Sequence, residues 1–522
     1  MGGAGRSGAS LRVGAGILLS RIAGLVRERV FAHYFGASPF ADAWRAALRM
    51  PNVLQNLLAE GTLSASFIPV YAELVEAGRD KEAARFAGAV FGLLTVAAGV
   101  LAGAGIVLAP VLVAVFFGGF DPDRYLLTVD IVRILFPMTA LLVISAWALG
   151  ILNTHRRFFL PYVAPVGWNG AIIGAMWIGG AGFDLSGDAL VRMLAWGALV
   201  GGGVQCGLQL PLALRLLGEF RPSISPDVHG VREAVRNWLP VVASRGVVNL
   251  GSWLDFTLAA YLATGAVATL GYAQTLYLLP IALFGMSVAA SELPELARGR
   301  GRGVAQLGEE VTGGMRRVAY FLIPSALGYI SIGHVITAAI YQTGAFGEAE
   351  VRVTWAVLAA YAIGMPASAL SRLLSSAFFA VRNTRTPARV AYLRVALSLG
   401  VGGAVMFPLD GVAVEELRLG AAGLALGASV AAWVEYFLLR RSLRRTLGPF
   451  GIGAGHLFRM GTGALAATAV GLLLAGLLPS GAPWLRALGT LAPFGGVYLL
   501  LTALLGVRPP LGAQIFRRTT GG

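Results

Sequence analysis

The sequence predicts an all-α polytopic membrane protein with about 14 transmembrane helices: two pseudo-symmetric six-helix lobes around a central cavity, plus two C-terminal helices. Three observations predict it. Of the 522 residues, 57% are hydrophobic and 13% charged, with mean hydropathy +0.73, where a soluble domain carries about 25% charged residues. Apolar runs of about 20 residues recur from one end to the other. Basic residues concentrate in every second connection.

In chain order the apolar runs are 12–35, 40–68, 84–117, 125–153, 159–180, 188–217 and 233–262, then 266–296, 315–343, 350–381, 387–407, 417–440, 457–478 and 484–506. One set of connections carries Arg79, Lys81 and Arg85; Arg156 and Arg157; Arg215, Arg221, Arg232 and Arg236; Arg298 to Arg317; Arg382, Arg385 and Arg389; Arg440 to Arg459; and Arg508, Arg517 and Arg518. The opposite set is acidic: Asp121 and Asp123, Asp184 and Asp188, Glu348 and Glu350, Asp410, Glu415 and Glu416. Positive charge stays on the cytoplasmic side, so an even number of spans puts both termini there. The first apolar run has no A-x-A cleavage site before it and is expected to be retained.

A repeat divides the chain. Ser20-Arg21 recurs as Ser244-Arg245, 224 residues on, and Ser66-Phe67-Ile68-Pro69 as Ser291-Glu292-Leu293-Pro294, 225 on. Asn153-Thr154 ahead of Pro161 recurs as Asn383-Thr384 ahead of Pro387, 230 and 226 on. A shared offset across an even number of helices implies two parallel repeats. The expected divisions are residues 1–220, residues 221–446, and an appendage at 447–522.

Several functions are excluded. The net charge of +15 lies in alternate loops and not on a soluble basic face, so no nucleic acid is expected. The single Cys206 sits in an apolar run, and the five histidines are scattered singly, which leaves no disulfide framework, metal site or cofactor. No Walker motif or phosphate-binding glycine loop is present, and GxxxG patterns such as Gly170 to Gly174 and Gly203 to Gly207 read as close helix packing. With no loop longer than about 20 residues to carry an acid or histidine centre, an embedded transferase is disfavoured and no enzyme is expected.

The informative residues are charges inside apolar runs. The first run holds Arg21, Arg27, Glu28 and Arg29; the last three lie near its end, where they either snorkel or pair locally or else face a watery cavity. In the second, Asp42, Arg45, Arg49, Asn52, Asn56 and Glu60 fall within about 80° of one helical face. A self-paired stripe, Asp42 with Arg45 and Arg49 with Asn52 or Glu60, is the structural alternative. Six polar positions exceed what such pairing requires, which favours a solvated cavity wall. Arg245, Asn249, Ser252 and Asp255 share a face of the seventh run, and the repeat sets Arg245 equivalent to Arg21. Arginines facing one another at mid-membrane would bind phosphate oxygens bidentately, so the chamber suits a phosphorylated or pyrophosphorylated anion. Glu292, Glu295 and Glu435 read as boundary residues, and Asp130, Arg133 and Arg372 stay unassigned. The segment 150–161 reads as a cytoplasmic turn with Asn153 as helix C-cap and Pro161 opening the next span.

The stretch SRIAGLVRERVFAHYFGAS…ADAWRAALRMPNVLQNLLAEGTLSASFIPVYAE (20–73) resembles the signature of the MurJ/MviN lipid II flippases, of the multidrug/oligosaccharidyl-lipid/polysaccharide exporter superfamily. Segments 150–165 and 377–391 are similar to matching family segments, and the likeness runs the whole length. It implies a bacterial inner-membrane flippase, active in peptidoglycan and cell-wall biogenesis. Its cargo would be a polyprenyl-pyrophosphate-linked precursor (lipid II), carried outward by alternating access among membrane lipids and cell-wall synthesis proteins. By the resemblance Arg21 and Arg27 match arginines the family needs, Asp42 its helix 2 acid, Arg49 a basic position before Pro-Asn, and Glu60 the acid of the AEG motif. The chain departs from the pattern at Gln55 and Asn56 and at Gln274-Thr275, where the family has arginine. Arg245 then replaces part of that charge. A sodium site would need Asn or Asp partners for Asp255, and 390–407 has neither. The alternatives are an exporter of another lipid-linked oligosaccharide or amphipathic solute, and a transport-inactive scaffold.

Overall fold

An apolar environment leaves backbone groups no water to bond, so the chain closes its hydrogen bonds internally as helices. The computed structural model describes residues 4–58, 62–285, 304–479 and 481–507, without the side chains of 4–13, 53, 54, 56, 57, 62, 64, 65, 239–252, 284, 285, 304 and 305. The helices are α1 (Ala4–Phe35), α2 (Pro39–Leu58), α3 (Thr62–Glu76), α4 (Asp80–Phe117), α5 (Pro122–Thr154), α6 (Phe159–Trp177), α7 (Gly187–Leu217) and α8 (Val231–Ala259). They continue with α9 (Ala266–Pro280), α10 (Val304–Tyr341), α11 (Glu348–Ala380), α12 (Arg385–Asp410), α13 (Gly420–Leu447), α14 (Ala454–Leu477) and α15 (Pro483–Leu504). A two-residue hairpin, β1 (Ala413–Val414) with β2 (Leu417–Arg418), joins α12 to α13.

Ten helices among the described residues, α4, α5, α7 and α9 to α15, are long and apolar enough to cross a membrane. Of the remainder, α1, α2 and α8 are those that carry the embedded charges. Of the expected run at 40–68, α2 is described to Leu58 and α3 from Thr62 to Glu76, and residues 59–61 lie outside the described residues.

The chain forms two compact units, Met1–Tyr261 with Thr343–Ala345, and Leu262–Gln342 with Phe346–Gly522. Compactness therefore groups α8 with α1 to α7, whereas the sequence repeat counts it as the start of the second lobe. In the first unit α5 lies between α2, α4 and α7, and α6 between α1 and α7. Its apolar core stacks Phe67 on Tyr71 and on Phe86, each at 5.4 Å, beside the buried Trp147. The segment Thr343–Ala345 closes over the corner after α1, with the Ala345 N–H donating to the His33 carbonyl at 2.8 Å.

In the second unit α11 and α12 both pack on α13, while α14 and α15 pack along α10. Two helix-interior prolines explain two of its contacts. Pro324 has no N–H for the Tyr320 carbonyl four residues back, and the Tyr498 hydroxyl of α15 donates to that oxygen at 2.6 Å. Pro280 likewise leaves the Leu276 carbonyl unclaimed, and the Tyr329 hydroxyl of α10 donates to it at 2.8 Å. Buried carbonyls freed by proline thus become the attachment points of neighbouring helices.

Close packing at glycine occurs elsewhere than expected. A Cβ at Gly170, Gly174, Gly203 or Gly207 would meet nothing within 4 Å. Tight helix approaches include Gly423 and Gly427 of α13, where a Cβ would stand 2.6 Å from Met406 Cα and 2.5 Å from Gly402 Cα of α12. The spacing alone does not say which face of a helix meets a neighbour.

The turn at 150–161 also differs from expectation. Asn153 lies inside α5, His155 is the C-cap, and Arg156 takes the left-handed conformation at φ 59°. Arg157 N–H bonds Leu152 O at 2.8 Å and Arg156 N–H bonds Asn153 O at 3.0 Å. Pro161 is the third residue of α6. The end of α11 repeats this cap: Arg382 has φ 59°, Asn383 N–H bonds Phe378 O at 2.9 Å and Arg382 N–H bonds Phe379 O at 3.0 Å. Beside the first cap, burial holds the His155 imidazole below its usual range against the opposing pull of Asp80, and its Nε2 sits 2.9 Å from the Tyr71 hydroxyl.

Candidate functional site

The polar stripe of α2 begins one turn into the helix, and its first three charges reach three different helices. Asp42 is 0% exposed and accepts from Arg124 Nη1 of α5 at 3.1 Å. Arg45 donates to Glu28 of α1, with its guanidinium over the Phe31 ring at 5.0 Å. Arg49 lies over the Phe256 ring of α8 at 3.5 Å. The intrahelical pair of Asp42 with Arg45 is not formed; each acid or base is engaged across a helix interface.

Glu28 is the centre of the α1 network. It is 4% exposed and accepts from Arg27 at 2.6 Å as well as from Arg45. The Arg27 guanidinium also lies over Trp168 of α6 at 5.0 Å, and the Trp168 N–H donates to Ala198 O of α7 at 3.1 Å. Each arginine therefore rests on an aromatic face, which offsets part of the cost of desolvating a cation. Glu28 pairs locally, as one of the two readings of that helix end held, and its partners include the stripe itself. Two arginines share this one carboxylate, and guanidinium forks are the donor type that suits a phosphate oxygen.

The other candidates are placed as follows. Arg21 is exposed on α1 and makes no ion pair with a described residue. Asn52 is half-buried on α2, and Asp255 is 6% exposed on α8, next to the Phe256 that faces Arg49. Asn56, Arg245 and Asn249 lie on the helical backbone of α2 and α8 with side chains outside the description, and Glu60 lies outside the described residues, as do Glu292 and Glu295. The expected approach of Arg21 to Arg245 therefore falls outside them too. Where the family signature carries arginine, Gln55 is half-buried and the Thr275 hydroxyl donates to Gly271 O of its own helix at 3.0 Å. Glu435, read as a boundary residue, is 8% exposed and accepts from Arg394 at 2.8 Å.

Sequence reasoning missed Arg124, Trp168 and Phe256. For Arg124 a signal existed. Asp121-Pro122 is an N-cap followed by proline at the first helical position, which fixes the start of α5 and sets Arg124 at its third residue. Asp121 Oδ1 accepts from Arg124 N–H at 3.0 Å, and Oδ2 from Arg124 Nε.

Partial burial pulls the Asp121 carboxyl upward, but the Arg124 backbone and side-chain hydrogen bonds and charge outweigh it and hold it below the usual carboxylate range. A depressed folded value means stability present above the unfolded value of about 3.9 and lost as pH falls through the lower folded one. As pH falls below about 4, wild-type protein is expected to lose stability more steeply than Asp121→Asn in acid unfolding in detergent. Parallel profiles would contradict this.

Comparison with known proteins follows the same outline. The family model described as lipid II flippase MurJ matches residues 31–489. The chain is 31% identical over 447 residues to a probable lipid II flippase MurJ of Rhizobium meliloti, covering 83% of this chain and 79% of that one. It is 32% identical over 448 residues to the lipid II flippase MurJ of Burkholderia cenocepacia, covering 84% and 83%. Among solved structures, a lipid II flippase MurJ in an inward closed conformation superposes with TM-score 0.78 at 20% identity, covering 94% of this chain and 98% of that one. An inward-facing multidrug MATE family transporter of the MOP superfamily superposes with TM-score 0.67 at 14% identity, covering 84% and 98%.

Proposed function

Because the chain belongs to the lipid II flippase MurJ family, we propose that it moves a polyprenyl-pyrophosphate-linked peptidoglycan precursor from the cytoplasmic to the outer leaflet of the bacterial inner membrane. The observation that carries this reading is the cluster of Arg27, Arg45 and Glu28, with Arg49 one turn further along α2. Permanently charged fork-shaped donors inside a membrane protein suit a diphosphate head group, and their net charge favours it over a neutral solute. Arg21, Arg27, Arg45, Arg49 and Asn52 are the cargo-facing groups of this reading, with Asn56, Glu60, Arg245, Asn249 and Asp255 completing the surface. Alternating access moves the cargo, and no catalytic step is required.

The topology belongs to the same proposal: fourteen spans, α2 and α3 together making the second, and both termini cytoplasmic. The alternating loop charges support it. Two six-helix lobes, residues 1–220 and 221–446, are supported by the matching left-handed caps at Arg156 and Arg382 and by the positive-φ Gly36 and Gly265, each in the first connection of its half. Residues 447–522 then form the appendage. Gln55 and Thr275 favour one second reading, a related lipid-linked glycan as cargo.

Expression in a bacterium depleted of its own flippase tests the function. Wild type is expected to restore growth and surface exposure of lipid II, Arg27→Ala to lose at least about tenfold of that activity, and Arg157→Ala to keep it. Failure of intact wild-type protein to restore either would sink the lipid II assignment.

A further inference from the structure

We infer that Arg124 is a positioning residue for transport: it clamps Asp42 to the start of α5 and so sets the rotation of α2 that presents Arg45 and Arg49. The inference rests on the transport reading above for its consequence, and on the geometry for its mechanism.

Arg124 is pre-set before it meets α2. Its backbone N–H and Nε both bond the Asp121 cap, its guanidinium lies over the Phe120 ring at 4.9 Å, and its carbonyl accepts from the Thr128 hydroxyl at 2.6 Å. Nη1 is then directed at Asp42 Oδ2. Both partners are withdrawn from solvent, Asp42 at 0% and Arg124 at 8% exposure. A carboxylate so buried cannot reach a cargo, and beside a diphosphate it would repel. Its location in the first turn of α2 also suits the positive end of the helix dipole.

The consequence follows from helical geometry. Arg45 and Arg49 are three and seven residues beyond Asp42 on the same face, so a slip of α2 by one position turns both by about 100°. A rotation of that size would carry Arg45 away from Glu28 and Arg49 away from Phe256. Asp42 thereby acts on the cargo through Arg124 and the two arginines below it.

Two measurements test this in the full chain, each normalised to folded protein by size-exclusion in detergent. Surface exposure of lipid II in flippase-depleted cells is expected to fall below about a tenth of wild type for Arg124→Leu and for Asp42→Leu, each of which breaks the buried bond between α2 and α5. The double variant Asp42→Leu/Arg124→Leu removes both charges and is expected to recover to at least about a third, and Arg124→Lys to do the same. A folded double variant that stays below about a tenth would show that Asp42 acts directly and overturn the inference. If the double variant does not accumulate, Arg124→Lys decides by the same thresholds.

The second measurement does not need the cargo. In a Cys206→Ala background, the labelling rate of Asn52→Cys by a small maleimide is expected to change at least about threefold with Arg124→Leu and less than about twofold with Arg124→Lys. An unchanged rate with Arg124→Leu overturns the positioning role even if wild type proves not to carry lipid II. Wild type that fails to expose lipid II while the labelling follows this pattern counts against the transport reading alone.

Discussion

Replacing Glu28 with glutamine is expected to destabilise the protein by about 3–5 kcal/mol, the cost of stranding charge in a buried ion cluster. Glu28 bonds both Arg27 and Arg45. Its loss takes the shared carboxylate from two half-buried cations on α1 and α2, each of which also rests on an aromatic ring. Removing one arginine is a different event, because the remaining one still pairs with Glu28. Arg45→Gln is therefore expected to cost less than half as much as Glu28→Gln, and Glu28→Gln/Arg45→Gln less than the sum of the two. Equilibrium unfolding of the purified variants in detergent measures all three. Equal costs for Glu28→Gln and Arg45→Gln would mean that the shared carboxylate is not what holds α1 to α2.

Both oxygens of Glu28 are engaged by guanidinium groups, one from α1 and one from α2. If the proposed diphosphate cargo bound these arginines, it would compete with the Glu28 carboxylate for the same donors.

What was legible in the sequence was whatever depends on period. The apolar runs give the helices, and the three- and four-residue spacing from Asp42 gives a polar face on α2. What was not legible was partnership. Asp42 meets a residue 82 positions away, and nothing in its local spacing distinguishes that contact from the i+3 pairing with Arg45. Arg156 shows a second limit. Left-handed backbone is expected at glycine or asparagine, yet the helix runs past Asn153 and turns at an arginine whose side chain is exposed.

Gly427→Ala is expected to cost about 3 kcal/mol, the upper part of the range for overpacking a tight interface. The added methyl would stand 2.5 Å from Gly402 Cα and 2.7 Å from Ser398 O, both backbone atoms of α12. Backbone of a helix cannot rotate aside as a side chain does, so α12 and α13 must separate along their length. Gly423, four residues earlier on the same face, would move with it, since its own position is 2.6 Å from Met406 Cα. The Arg394–Glu435 bond at 2.8 Å spans the same two helices and would lengthen in turn. Gly203→Ala supplies the comparison: a methyl there meets nothing within 4 Å, and helix propensity alone predicts a gain of at most about 1 kcal/mol. Thermal unfolding of the two variants in the same detergent separates the cases. A Gly427→Ala protein as stable as Gly203→Ala would mean that α12 and α13 are not held at backbone contact.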